Sequence, residues 1–205
     1  MLPASPQGGV RILGVDPGIN HYSIAYMCFD NRLLEFRGCL FKQYTPKSSL
    51  EDRLLQLFED SSEYIKSVDP DIVVIEGQYF GKNVQTLRSL SEGAGVLKLS
   101  TMLSSEAKIF SYTPNEIKLA LAGNGMASKE DMIQAIREVF HLEVESDLAD
   151  AIGAVFAYIA FEVYYKKIGG GEKKTKNKKE KALSSTVKKE LRRMMFLNIK
   201  FTKAV

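Results

Sequence analysis

Residues 10–42 read VRILGVDPGINHYSIAYMCFDNRLLEFRGCLFK. The stretch opens with an apolar run ending in Asp16, and Pro17-Gly18 stops it as a turn pair. Residues 22–29 and 33–42 are two more strand-like segments, separated by Asp30-Asn31-Arg32 at hairpin spacing. Three hairpin-linked strands therefore come first, and the downstream segments decide how the sheet grows.

Past residue 48 the period changes. Residues 49–68 follow a helical period, with Ser49 placed to cap, until Asp69-Pro70 breaks it. Ile72 to Ile75 is a continuous β-branched run, as expected of a strand buried on both faces, and it ends at Glu76. A long helix over 83–103, a strand over 107–112 and a short helix opened by Pro114 come next. After the Gly123-Asn124-Gly125 loop, Ser128 caps a helix to about Phe140. A last helix, opened by Asp147, runs to about Tyr165. The order βββ-α-β-α-β-α-α-α predicts an α/β fold, a five-stranded mixed sheet with helices on both faces.

Charge divides the chain. Through Tyr165 there are 14 Lys and Arg against 22 Asp and Glu, a net of −8; from Lys166 on there are 14 against 3, a net of +11. We read residues 1–9 as a flexible leader, 10–165 as the folded domain and 166–205 as a basic tail. Gly169-Gly170-Gly171 and KKTKNKKEK cannot bury enough apolar surface to order themselves. A basic tail reads first as an arm for a polyanion, and otherwise as a solubilising segment. Cys28 and Cys39 read as core thiols of one hairpin, out of register for a disulfide. Neither a secretory leader nor a membrane span is expected, so the reading is a cytoplasmic protein with no membrane partner.

Four carboxylates stand out by position. Asp16 ends the first strand and Glu76 the fourth. Asp147 and Asp150, three residues apart, share a helix face. Each has an ordinary explanation when taken singly: a turn residue, a surface charge, an N-cap, a first-turn acid. Taken together, parallel first and fourth strands would carry Asp16 and Glu76 to one sheet edge, and a helix N-terminus could bring the other two. Such crowding calls for a cation. Oxygen-only ligands favour Mg²⁺, with Mn²⁺ as a substitute. Two ions about 4 Å apart suit in-line phosphodiester hydrolysis.

The ordered motifs carry a resemblance. ILGVDPG (12–18), VVIEGQYFGKN (73–83), the region FSYTPNEIK through AGNGMASKEDM (110–132) and SDLADAIGAVFAY (146–158) resemble, in register, the motifs of the RuvC family of Holliday-junction resolvases. The resemblance implies an RNase H-like nuclease domain and an endonuclease that nicks four-way DNA junctions in pairs, leaving 5′-phosphate and 3′-hydroxyl ends. Asp16, Glu76, Asp147 and Asp150 match the metal-binding catalytic acids. Lys118 and Lys129 match lysines near the scissile phosphate. Tyr79 falls where the family has a Phe acting on bases at the junction centre. Phe80 and Lys82 are further candidates for DNA contact, against plain packing and a solvated face. Gly77 stands where the family usually has Gln, and the tail exceeds the family's usual length. His21 and His141 receive no role.

The resemblance also implies a two-fold homodimer. The 83–103 helix is the expected contact, with Gly93, Ala94 and Gly95 allowing close approach. Branch-migration or replication proteins are further candidate partners. The alternatives are another RNase H-like nuclease acting on hybrids, flaps or branched DNA, and a non-catalytic junction-binding protein. An actin-like ATPase would need a second, repeated phosphate loop and a longer chain.

Overall fold

The computed structural model describes residues 9–30, 33–45, 47–77 and 84–165. The basic tail, all but the last residue of the leader, and Tyr79, Phe80 and Lys82 lie outside the described residues. The strands are β1 (Val10–Asp16), β2 (His21–Phe29), β3 (Leu34–Gln43), β4 (Ile72–Glu76) and β5 (Lys108–Tyr112). The helices are α1 (Leu50–Val68), α2 (Val84–Ser104), α3 (Pro114–Ala122), α4 (Lys129–Phe140) and α5 (Ser146–Tyr158). They form one five-stranded sheet in the order β3-β2-β1-β4-β5. The β1–β2 and β2–β3 pairs are antiparallel, whereas β4 lies parallel to both β1 and β5. This is the mixed sheet that the element order predicts.

Successive strand residues face opposite sides of a sheet, and two cores result from that alternation. Ile12 and Val74 join the core under α3, α4 and α5, whereas Leu13, Val15, Val73 and Ile75 join the one under α1 and α2. β1 and β4 pair Gly14 with Val74 and Val15 with Ile75. One step further along both parallel strands come Asp16 and Glu76, on the α5 side by the same alternation.

α5 lies unusually close to the sheet because β1 has no side chain beneath it. A Cβ built on Gly14 would overlap the Ala151 carbonyl oxygen and come within 2.7 Å of Val155 Cγ2. Gly153, on the same helix, leaves room for α3 and α4: a Cβ there would meet Ile117 at 2.7 Å and Met132 at 3.0 Å. The buried Ser23 hydroxyl, opposite Asp16 in the β1–β2 register, donates to the Asp147 carbonyl at 2.7 Å and ties down the first turn of α5.

The helix ends obey their local chemistry. Ser49 caps α1, and capping boxes join Thr113 to Glu116 and Ser128 to Asp131. Three expectations need correction. Cys28 is buried but Cys39 is exposed, because β3 is an edge strand; across the hairpin Cys28 faces Glu35, and the two thiols stay free. The last helix is α-helical only to Tyr158 and continues as a π-helix, Ile159–Tyr165, where Phe161 stacks on Tyr112 of β5. Gly93 and Ala94 are turned inward and cannot seat a partner helix. Ala94 belongs to the α1–α2 core, and a Cβ on Gly93 would come within 3.1 Å of the Pro17 carbonyl.

Two glycines make opposite predictions. Gly14→Ala should lower stability by about 3 kcal/mol, the upper end of overpacking costs, because a backbone oxygen cannot step aside. Gly95→Ala meets nothing within 4 Å and should gain up to about 1 kcal/mol of helix propensity. Urea unfolding midpoints measure both, and a tolerated Gly14→Ala would contradict the packing described.

Candidate active site

Three of the four expected acids converge. Asp16, Glu76 and Asp150 each offer a carboxylate oxygen, and these atoms all lie within 4.8 Å of one another. Each side chain arrives by a separate structural cause. Asp16 and Glu76 are carried there by the parallel β1–β4 register. Asp150 comes from the first turns of α5, next to Ala151, whose carbonyl rests over Gly14.

The electrostatics record the crowding. Burial holds the Asp16 carboxyl well above its ordinary range, and the charges of Glu76, Asp150 and Asp147 push the same way, with Lys129 opposing. Burial, reinforced by Asp150, pushes Glu76 up to about 7 against the pull of Lys118 and Lys129. Asp150 is raised by burial and by Asp147, again against both lysines. Three half-buried carboxyls with raised pKa values in one corner form a site short of positive charge. Oxygen-only donors at this spacing fit a hard divalent cation.

Asp147 stands apart. It lies in the first turn of α5, but the capping position belongs to Glu145, so capping does not explain it. Its Oδ2 lies 3.1 Å from His21 Nδ1, and its Oδ1 accepts from Ser146 Oγ at 2.9 Å. Its charge is still felt at Asp16 and Asp150. Lys129, the first residue of α4, donates to Ser146 Oγ at 3.4 Å. Lys118, from α3, acts on Glu76 and Asp150. Directly after Glu76, Gly77 donates its N–H to the Tyr112 carbonyl at 2.7 Å and so holds the end of β4 against β5.

Sequence reasoning missed Gly14, Ser23 and His21. Gly14 left a signal, since glycine inside an apolar strand marks a close backbone approach. Ser23 left a weaker one, as a small polar residue in the otherwise apolar and aromatic buried run of β2. His21 left none: its partner lies far along the chain, and no local spacing joins them.

The family model described as crossover junction endodeoxyribonuclease RuvC matches residues 12–160. The RuvC of Finegoldia magna is 31% identical over 156 residues, covering 73% of this chain and 93% of the relative. The RuvC of Chlamydia abortus is 34% identical over 161 residues, covering 75% and 96%. Thermus thermophilus RuvC, solved in complex with Holliday junction substrate, shares the fold: TM-score 0.67 at 21% identity, covering 78% of this chain and 96% of that one. The family match takes in the ends of β1 and β4 and the whole of α5, the elements that gather the acids. The chain belongs to the crossover junction endodeoxyribonuclease RuvC family.

Proposed function

We propose that this protein is a structure-selective endonuclease that resolves four-way DNA junctions by paired, Mg²⁺-dependent nicks. The observation that carries this reading is the meeting of Asp16, Glu76 and Asp150 within 4.8 Å, in a chain of this family. Those three would hold the divalent ion or ions, Mg²⁺ or Mn²⁺, with Asp147 beside them. When bound, such a cation neutralises phosphate charge and makes water a better nucleophile at neutral pH.

The chain's own residues do the rest. The three acids fix where positive charge can collect. Lys118 and Lys129 supply positive charge at the rim and hold the scissile phosphate against it. Ser23 and Gly14 keep the first turn of α5 seated on β1, so the acids stay together. In this reading Tyr79 stacks on an exposed base near the junction centre, and Phe80 and Lys82 extend the contact with DNA. A two-fold dimer presents two such centres to two equivalent strands. The exposed Leu99, Met102 and Leu103 of α2 offer an apolar contact for it in place of the inward-facing Gly93 and Ala94. Among the described residues no helix is long and apolar enough to cross a membrane. We place the enzyme in the cytoplasm with the DNA, where branch-migration or replication proteins could deliver junctions.

Three measurements test the reading. Asp16→Asn, Glu76→Gln and Asp150→Asn should each abolish Mg²⁺-dependent cleavage of a synthetic four-way junction while leaving junction binding within a few fold of wild type. Full cleavage by Asp16→Asn would overturn the assigned centre. Equal or faster cleavage of flaps or RNA–DNA hybrids in the same assay would favour a different RNase H-like nuclease.

The second measurement concerns stability. Glu76 titrates at about 7 in the fold against an ordinary 4.5. Between those values the unfolded chain loses its proton while the folded one keeps it, so stability falls as pH rises and the loss is complete above pH 7. With no divalent cation, Glu76→Gln should therefore raise the unfolding free energy at pH 8 by about 1–3 kcal/mol. The gain should shrink toward pH 5, and saturating Mg²⁺ should stabilise the wild type more than the variant. A pH-independent difference in thermal unfolding would contradict the crowding argument.

The third concerns the tail. Deleting residues 169–205 should reduce the slope of log affinity against log salt for junction DNA. An unchanged slope would show that the tail does not touch the polyanion.

A further inference from the structure

Asp147 is the expected acid that the three-carboxylate centre does not gather, and both of its oxygens are already engaged. Oδ2 faces His21 Nδ1 at 3.1 Å, and Oδ1 accepts from Ser146 Oγ at 2.9 Å. Its backbone carbonyl is held by Ser23 at 2.7 Å. With one oxygen hydrogen-bonded, the other 3.1 Å from the imidazole and the backbone carbonyl of the same residue held by Ser23, the side chain has little rotamer freedom left. Its charge therefore acts on Asp16 and Asp150 from one fixed place.

The imidazole that does this holding is itself anchored. His21 opens β2 opposite Gln43. In the turn before it, the Asn20 carbonyl accepts from the Tyr44 N–H at 2.7 Å, and the Asn20 side chain accepts from Arg53. Ile19 and Pro17 pack against Gly93 of α2. The loop of residues 17–20 thus links two things: Asp16 at the cation centre before it, and His21 beside Asp147 after it.

We propose that His21 is a positioning residue for Asp147, setting the orientation in which this fourth carboxylate supports a second divalent ion next to the three-acid centre. The inference rests on the cation-binding reading above. An imidazole N–H on a ligating carboxylate fixes its direction and leaves further lone pairs free to bind a cation, and losing such an outer partner typically weakens metal binding by roughly 10–100-fold. His21 is half exposed and outside both cores, so replacing it should leave the fold intact.

The test is Mn²⁺ binding to the full-length protein, monitored by calorimetry and by the electron paramagnetic resonance signal of the bound ion, with no DNA present. His21→Ala should weaken the second Mn²⁺ by about tenfold. His21→Asn should restore most of the affinity, because its amide N–H₂ sits where Nδ1 does. In an Asp147→Asn background, His21→Ala should have no further effect, since the pair acts as one unit. Wild-type or tighter binding by His21→Ala, or losses for His21→Ala and Asp147→Asn that multiply independently, would overturn the proposal. So would a loss that tracks a lower Tm and is not restored by Asn. Asp16→Asn separates the two levels: if it keeps Mn²⁺ binding, the cation centre itself is wrong; if it loses binding while His21→Ala does not, only the role of His21 falls.

Discussion

The absence of a side chain at position 14 is the constraint on which the site depends. α5 carries Asp147 and Asp150 in its first turns, and it reaches the ends of β1 and β4 only because the Ala151 carbonyl can rest where a Cβ would stand. An ordinary strand residue there would lift the helix away from the sheet. Packing layers are set by side-chain size, so even a small lift would separate Asp150 from Asp16 and Glu76, which come from the strands. The closeness of three carboxylates thus originates in a backbone contact made on the site's inner side.

That contact explains why the sheet needs both kinds of strand pairing. The antiparallel β1–β2 pair puts Ser23 opposite Asp16, where its hydroxyl can hold the first turn of α5. The parallel β1–β4 pair puts Glu76 beside Asp16 at the same edge. An antiparallel β4 would send Glu76 to the far end of the sheet. The helical crossovers that a parallel strand requires are α1, between β3 and β4, and α2, between β4 and β5. They also cover the second face of the sheet.

The period changes along the chain made most of this readable. Apolar runs ended by Pro17-Gly18 and by Asp30-Asn31, and a helical run ended by Asp69-Pro70, fix the element ends locally, and strand ends are where Asp16 and Glu76 stand. The caps of α1, α3 and α4 are likewise local, three-residue events. The features that could not be read depend on the tertiary fold. Cys39 looks like its hairpin companion Cys28 until β3 is known to be an edge. Gly93 and Ala94 look like a helix–helix seam until the β1–β2 turn is known to fill it. Asp147 and Asp150 look equivalent on a helical wheel. Only the folded chain shows one turned to the strand carboxylates and the other to His21.

The positions of the lysines complete the electrostatic logic. Lys118 and Lys129 pull Glu76 and Asp150 toward ionisation, yet among the described residues neither forms an ion pair with those acids; Lys129 instead reaches Ser146 at 3.4 Å. A direct ion pair would have neutralised the carboxylates and left a cation no advantage in binding. The lysines thus offset part of the repulsion among the acids without pairing with them, and the centre stays short of positive charge. In the reading proposed above, an acidic domain would approach a polyanion where carboxylate-held cations and the nearby ammonium groups both oppose phosphate charge. The same spacing that makes the clustered acids unfavourable on their own at neutral pH is what would favour their binding a divalent cation.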